Sequence, residues 1–431
     1  MGVCVHQSDH CAGSSVTAAV RTVLTSTFAP WVALASCALS QLALFRFQGM
    51  PWRGEYFWSA QWIESNCFPA IIITAIAIAV DVLRTLSVDR GNLLLSGDLR
   101  APFLTGYSVV VGTGFVIPAL IGYAATAFTW NAYVGSAQTS ATTHLGVSLL
   151  SMVAILAVGL VVAQLSPIAA PLLVPLSAVW LSLSAMDQSG LTLIGNSSGS
   201  LLGYRPSVTA LLAQGASAAA VIVACLWLSI RWQRGQPAVS WRSIGVVTLL
   251  VGLSVSTVLK LDPYVPDDTE EAACYGDGGQ GSRTCMSMQH IRLLDPLHER
   301  FTEFLEKGSD AGVAADSPHT VVEGYGPFVS GDVQPNLRVS ETVVAWRASA
   351  EELAADEPEV SRESLAAAYA VPVQCQQLSA NEPPSAEYDA LRQSVYDSVL
   401  AATDESKPLP QRQAAARHFN RDFEKLHACR F

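Results

Sequence analysis

The chain has 431 residues, half of them apolar and only 14% charged, and its 36 acidic and 25 basic side chains leave a net charge of −11. The charge is divided unevenly: residues 1–260 hold 7 acids and 11 bases, whereas residues 261–431 hold 29 acids and 14 bases. Between Ala101 and Ile230 the only formal charges are Asp187 and Arg205, which excludes a single water-soluble domain, and no basic stripe exists to neutralise nucleic-acid phosphates.

At the amino end, Cys4, His6, His10 and Cys11 gather two thiols and two imidazoles, a set able to bind a transition metal. No packed second shell surrounds them, so adventitious binding is the simpler reading. Leu34, Ala35, Ser36 and Cys37 match a lipoprotein cleavage pattern, but the apolar run continues to Phe45 and reads as a plain span. A bilayer core of about 30 Å needs roughly 20 apolar residues in a helix. Seven runs approach that length: 23–45, 67–83, 103–128, 145–165, 168–186, 208–230 and 244–259. The fourth and fifth are broken at Ser166 and Pro167 and again by Pro171 and Pro175, so they are two spans with a tight turn, or one span plus a re-entrant piece, which lowers the number to six.

Trp52, Tyr56, Trp58 and Trp62, in the first connection, read as an interface belt or a short helix on the outer leaflet. Asp81 and Asp187 read as interfacial, as does His144 at the start of the fourth span. No ionisable group falls at the centre of a predicted span, which counts against an ion-coupled carrier. Gly106, Gly112, Gly114 and Gly122 in the third span, with Gly215, Ala216, Ala218, Ala219 and Ala220 in the sixth, suit close helix packing or a dimer seam, or reflect a bias of composition.

Orientation follows from Lys and Arg in the short connections. Seven spans with the amino terminus inside put Arg21, Arg84, Arg90, Arg100, Arg231, Arg234 and Arg242 in the cytoplasm and Arg46, Arg53, Arg205 and Lys260 opposite, seven against four. Six spans would give six against five. The seven-span arrangement places the acidic tail outside. The tail's Cys274, Cys285, Cys375 and Cys429 agree, an even number suited to disulfides in an oxidising compartment. Three pairings are open; the glycine-rich run between Cys274 and Cys285 turns the chain back and favours that pair, leaving Cys375 for Cys429.

The connection 84–100 places Arg84, Arg90 and Arg100 around Leu93, Leu94 and Leu95. It is a short amphipathic element for docking a cytoplasmic partner, or a solvated loop. An Ala-rich second span running through Asp81 and Arg84 into Leu94, Leu95, Ser96 and Arg100 resembles actinobacterial membrane proteins akin to ABC exporter permeases. The resemblance implies a separate ABC ATPase docked on Arg84, Arg90 and Arg100. It also implies a homodimer or a second permease subunit, and an extracytoplasmic domain whose start is similar in layout to Cys274, Cys285 and His290. It covers the membrane half and this short region.

Within the tail, a helix is expected from Asp295, with Pro296 at its first position, through Leu297, Phe301, Phe304 and Leu305 to Gly308. Amphipathic stretches follow at Tyr388, Leu391, Val395 and Val399 and at Ala415, Phe419, Phe423 and Leu426. Residues 320–323 and 337–346 read as strands, and Pro383, Pro384 and residues 407–410 as connections. No catalytic set emerges: His290, His298 and Glu299 lack zinc-ligand spacing, Gly195, Ser197 and Gly199 lie in a loop without the strand and helix of a nucleophile elbow, and no phosphate-binding loop occurs. The expectation is a polytopic α-helical membrane bundle of about seven spans plus a small α+β domain. Residues 1–22 form a cytoplasmic segment, 23–260 the membrane domain, and 261–431 the extracytoplasmic acidic domain with disulfides. The expected function is a permease subunit without its own catalytic motif or cofactor, or alternatively a membrane-anchored ligand-binding or sensing protein.

Overall fold

A computed structural model describes residues 20–47, 55–86, 100–130, 136–165, 202, 204–233, 264–266, 272–276, 282–313, 319–323, 342–348, 352–353, 355, 359–371 and 386–428. The membrane half is helical. A short α1 (Val20–Ser26) meets α2 (Ala29–Phe47) at a 74° bend. Pro30, which offers no N–H, sits in the first turn of α2, where that N–H would have no helical partner. Then come α3 (Tyr56–Asp81), running into a π-helical turn (Val82–Leu86), α4 (Arg100–Trp130), α5 (Ser136–Leu165) and α6 (Val208–Gln233). Among the described residues, four helices are long and apolar enough to cross a membrane, five if the bent pair is one span. They coincide with five of the expected spans; the runs 168–186 and 244–259 lie outside the described residues.

The second span starts earlier than expected, at Tyr56 instead of Cys67. No Gly or Pro interrupts 56–68, and the single acid in that stretch, Glu64, is buried, so a hydropathy reading that stops at a charge stops too soon. Tyr56, Trp58 and Trp62 consequently lie within the helix, with Trp58 and Trp62 packed against the core; Trp52 lies outside the described residues.

Helix α3 packs against α2, α4 and α5; α4 also packs on α2, and α5 carries α6. Small residues make these contacts close. A side chain at Gly114 would put its Cβ 2.9 Å from the Pro30 carbonyl oxygen, and one at Gly122 would meet Gln41 at 3.3 Å, which is the close-packed bundle that the glycines suggested. The bundle is apolar outward: among described residues, all but Tyr275 and Leu409 of the exposed large hydrophobics belong to the membrane half. Its interior, by contrast, holds Gln41, Gln61, Glu64, Asp81, His144 and Gln214. A surface that water would not tolerate around a polar interior fits lipid as the solvent.

A two-stranded antiparallel ribbon, β1 (Tyr204–Pro206) with β2 (Tyr264–Pro266), sits beside α5 at one end of the bundle. The carboxyl-terminal domain lies at the same end. Its sheet runs β3 (Ala272–Tyr275), β4 (Arg283–Ser287), β5 (His319–Glu323), β6 (Thr342–Trp346), antiparallel between the first two and parallel thereafter. A 3-10 turn (Met288–Leu293) leads into α7 (Leu294–Ala311), and α8 (Arg362–Tyr369), α9 (Ala386–Ala402) and α10 (Leu409–His427) complete a small α+β domain. Helix α7 turns Leu297, Phe301 and Phe304 inward. Tyr369 is ringed by Phe301, Phe304, Phe419 and Phe423. The expected stop at Gly308 is corrected: that residue is helical and packs against Val313 and Thr403, and the helix ends at Gly312, whose φ of +88° suits glycine. Of the strand expected over 337–346, Thr342–Trp346 is described.

Candidate functional site

Helix α3 buries an acid at its start, one in its body and one at its end, each matched by a different element. Asp81, the last residue, is 1% exposed. The N–H of Phe28 donates to both its carboxylate oxygens at 2.9 and 3.0 Å, that of Ala29 donates at 2.8 Å, and the Tyr107 hydroxyl adds a bond at 3.1 Å. A carboxylate placed against the first free N–H groups of α2 satisfies donors that the helix cannot, with the helix dipole adding to the attraction. Asp81, near the end of its span, is therefore the cap of a neighbouring helix. Arg84, one turn on, lies over the Phe28 ring at 4.7 Å.

Glu64 and His144 meet at 3.2 Å between α3 and α5, with both side chains almost wholly buried. The His144 ring also rests on Phe57 at 4.8 Å. One turn before Glu64, the Gln61 amide donates to the Tyr264 hydroxyl of β2 at 3.3 Å, and Tyr264 meets Phe57 edge-on. Each of Glu64 and His144 is eight residues from the start of its helix, about 12 Å along the axis. This overturns the reading that ionisable groups avoid the spans, and with it the case against ion coupling. The signal was present in the sequence: Glu64 is the only charge between Tyr56 and Val80.

Glu55, at the N-cap of α3, makes no side-chain cap bond. Its carboxylate pairs with His290 Nε2 at 3.2 Å, while His290 Nδ1 contacts Glu323 at the end of β5. The three side chains are 0 to 2% exposed. The backbone explains the placement. Ser287 accepts from the Gln289 N–H to start the 3-10 turn, His290 sits at a kink in it (φ −106°, ψ 17°), and the Ser287 N–H donates to Glu323 at 2.9 Å. Gln289 in turn accepts from the Tyr56 N–H at 3.2 Å. Burial alone would pull the imidazole down, but the Glu323 and Glu55 carboxylates outweigh it and hold His290 up at about 10. At neutral pH the group is an imidazolium bridging two carboxylates. Both ring nitrogens are occupied by carboxylates, so the trio is an ionic junction between domain and bundle.

Elsewhere, Cys274 and Cys285 face each other across β3 and β4 and are joined as a disulfide, as favoured. Cys375, Cys429, Arg90, Asp187, the amino-terminal Cys4 to Cys11 cluster and the Gly195 string lie outside the described residues. Arg100 is the first residue of α4. His298 is apart from His290, hydrogen-bonded to Thr284 at 3.1 Å. At the end of the bundle remote from the domain, Ile78, Tyr107, Leu160 and Leu226 line an apolar cleft of about 320 Å³ between α4, α5 and α6. No group of three His, Cys, Asp or Glu arranged for a metal ion occurs among the described residues. The chain matches no family model, and no characterised protein or solved structure is significantly similar to it.

Proposed function

We propose that this chain is the permease-type membrane subunit of a transport system driven by a separate ATPase, with the acidic domain held outside the cytoplasm as an extension of α3. The observation that carries the reading is the buried Glu64 and His144 pair within apolar spans. A passive anchor has no use for ionisable groups at that depth, where they are costly. The apolar cleft toward the remote end of the same bundle suits an apolar or amphiphilic cargo. A homodimer or a second permease subunit would complete the path.

The positive-inside bias supports the orientation. Among described residues of the membrane half, Arg21, Arg84, Arg100 and Arg231 lie toward the remote end, against Arg46 and Arg205 toward the domain end. Seven crossings are supported by the ends of the described helices: α5 and α6 both finish at the remote end, yet the strands that follow them, β1 and β2, pair at the domain end. One expected span, 168–186 or 244–259, falls in each interval.

A second reading, a membrane-anchored extracytoplasmic ligand-binding or sensing protein, is favoured by the Glu55, His290 and Glu323 junction, which would pass a change in the domain directly to α3. Copurification from native membranes separates the two. The permease reading expects an ABC ATPase in stoichiometric amount; a signalling protein in its place, with no ATPase, would refute it.

A further inference from the structure

Three buried polar atoms around Glu64 have no hydrogen-bond partner among the described residues. His144 Nε2 lies 3.2 Å from Glu64 Oε1 yet is not aligned for a hydrogen bond, Gln61 Oε1 makes none although its amide donates to Tyr264, and Ser148 Oγ makes none. Gln61 and Ser148 are 0% exposed and His144 3%. Gln61 and Glu64 are three residues apart on α3, and His144 and Ser148 four apart on α5, so each pair shares a helix face. Helices α3 and α5 pack together and run in the same direction, which brings the three atoms within about two turns of one another. Buried polar atoms in this state cost free energy unless water meets them. Tyr264, on the ribbon at the domain end, is only partly buried and links the group to that surface.

We propose that Glu64, His144, Gln61 and Ser148 form a proton-loading site, filled from the domain side past Tyr264 through internal water held between Gln61 and Ser148. On loading, a hydrated proton binds His144 Nε2 and leaves its water behind, and the pair becomes a carboxylate beside an imidazolium with no net charge. On release the proton returns to water, and Glu64 keeps its charge beside a neutral imidazole. The donor set selects the ion: a hard metal cation takes oxygen ligands, whereas an imidazole is the side chain that exchanges protons near neutrality. Around the pair, Tyr264 comes from β2 and Cys67 from α3 itself. Tyr123 of α4 meets Thr142, and α2 and α6 bring the buried thiols Cys37 and Cys225. Arg46 of α2 and Arg205 of β1 lie toward the domain end, Arg100 of α4 and Arg231 of α6 toward the remote end. The other described carboxylates of the bundle, Glu55 and Asp81, sit at the two ends of α3, so no second acid competes at this depth among the described residues. In a permease the proton would move with or against the cargo; that use rests on the reading above, whereas the binding does not.

The test follows the ring nitrogens of isotope-labelled histidine by nuclear magnetic resonance in the full, unaltered chain in lipid nanodiscs, in potassium buffers from about pH 5 to about pH 9. The His144 resonance is assigned by its loss in His144→Gln or, should that variant not assemble, by its through-space contact with the Phe57 ring at 4.8 Å. The expected result is conversion of His144 from imidazolium to neutral ring within that range, the same in sodium buffers, while His290 stays charged. Ser148→Ala and Gln61→Leu, which remove the atoms that hold the water, are expected to slow proton exchange about tenfold. A His144 ring whose state ignores the bulk pH, exchange unchanged in both variants, or a titration that sodium suppresses would each overturn the proposal. No ATPase is present in the measurement, so such a failure strikes the proton site alone, and a missing ATPase on copurification strikes the permease reading alone.

Discussion

Neutralising His290 tests the junction between domain and bundle. The folded chain holds this imidazole at about 10 against an ordinary 6.5. At about 1.4 kcal/mol per pH unit, that difference is on the order of 5 kcal/mol. The figure agrees with the roughly 3 to 5 kcal/mol lost when one partner of a buried ion pair is removed. The sign follows from the raised value: the stabilisation is complete below pH 6.5 and is lost progressively as pH climbs toward 10. His290→Gln removes the charge and retains polar atoms. For a domain the size of residues 261–431, the loss corresponds to a fall in Tm of roughly 10 to 20 °C at pH 6.5. The assay is thermal unfolding of the full chain in nanodiscs, followed by the fluorescence of Trp346 and Trp58, which sit in and against the domain core. The wild-type and His290→Gln curves should converge between pH 6.5 and 10. A gap of constant size across that range would show that the imidazolium contributes nothing and that the argument from its two carboxylates is wrong.

Three other outcomes are expected. Asp81→Ala, which strips the cap from α2 and the partner from Tyr107, should lower stability by about 2 to 4 kcal/mol, and Asp81→Asn by about half as much, measured by thermal shift in detergent. Gly114→Ala drives a Cβ to 2.9 Å from the Pro30 carbonyl oxygen and should cost about 1 to 3 kcal/mol. Gly146→Ala, where an added Cβ meets nothing within 4 Å, should be neutral or stabilising by about 1 kcal/mol; equal losses at the two sites would refute the packing argument. Replacing both Cys274 and Cys285 by Ser opens a loop with a sequence separation of 11, which should destabilise the domain by roughly 3 kcal/mol in a denaturant titration.

Five spans and the α+β character of the tail were legible in the sequence because burial in lipid and amphipathic packing leave periodic traces. The Cys274 to Cys285 pairing was legible from the turn between them. The start of α3 was not, because hydropathy scores Glu64 as a boundary regardless of what faces it. The stop of α7 was placed at the first glycine, Gly308, although only Gly312 takes the left-handed backbone.

Amino-acid order alone determined that one part of this protein is apolar enough for lipid and the other charged enough for water, since both follow from composition summed over a window. What became of Glu55, Glu64, Asp81, His144 and His290 was decided by the tertiary structure. A charged side chain is costly or useful according to the partner brought within about 3 Å, and those partners lie 26 to 235 residues away on other elements.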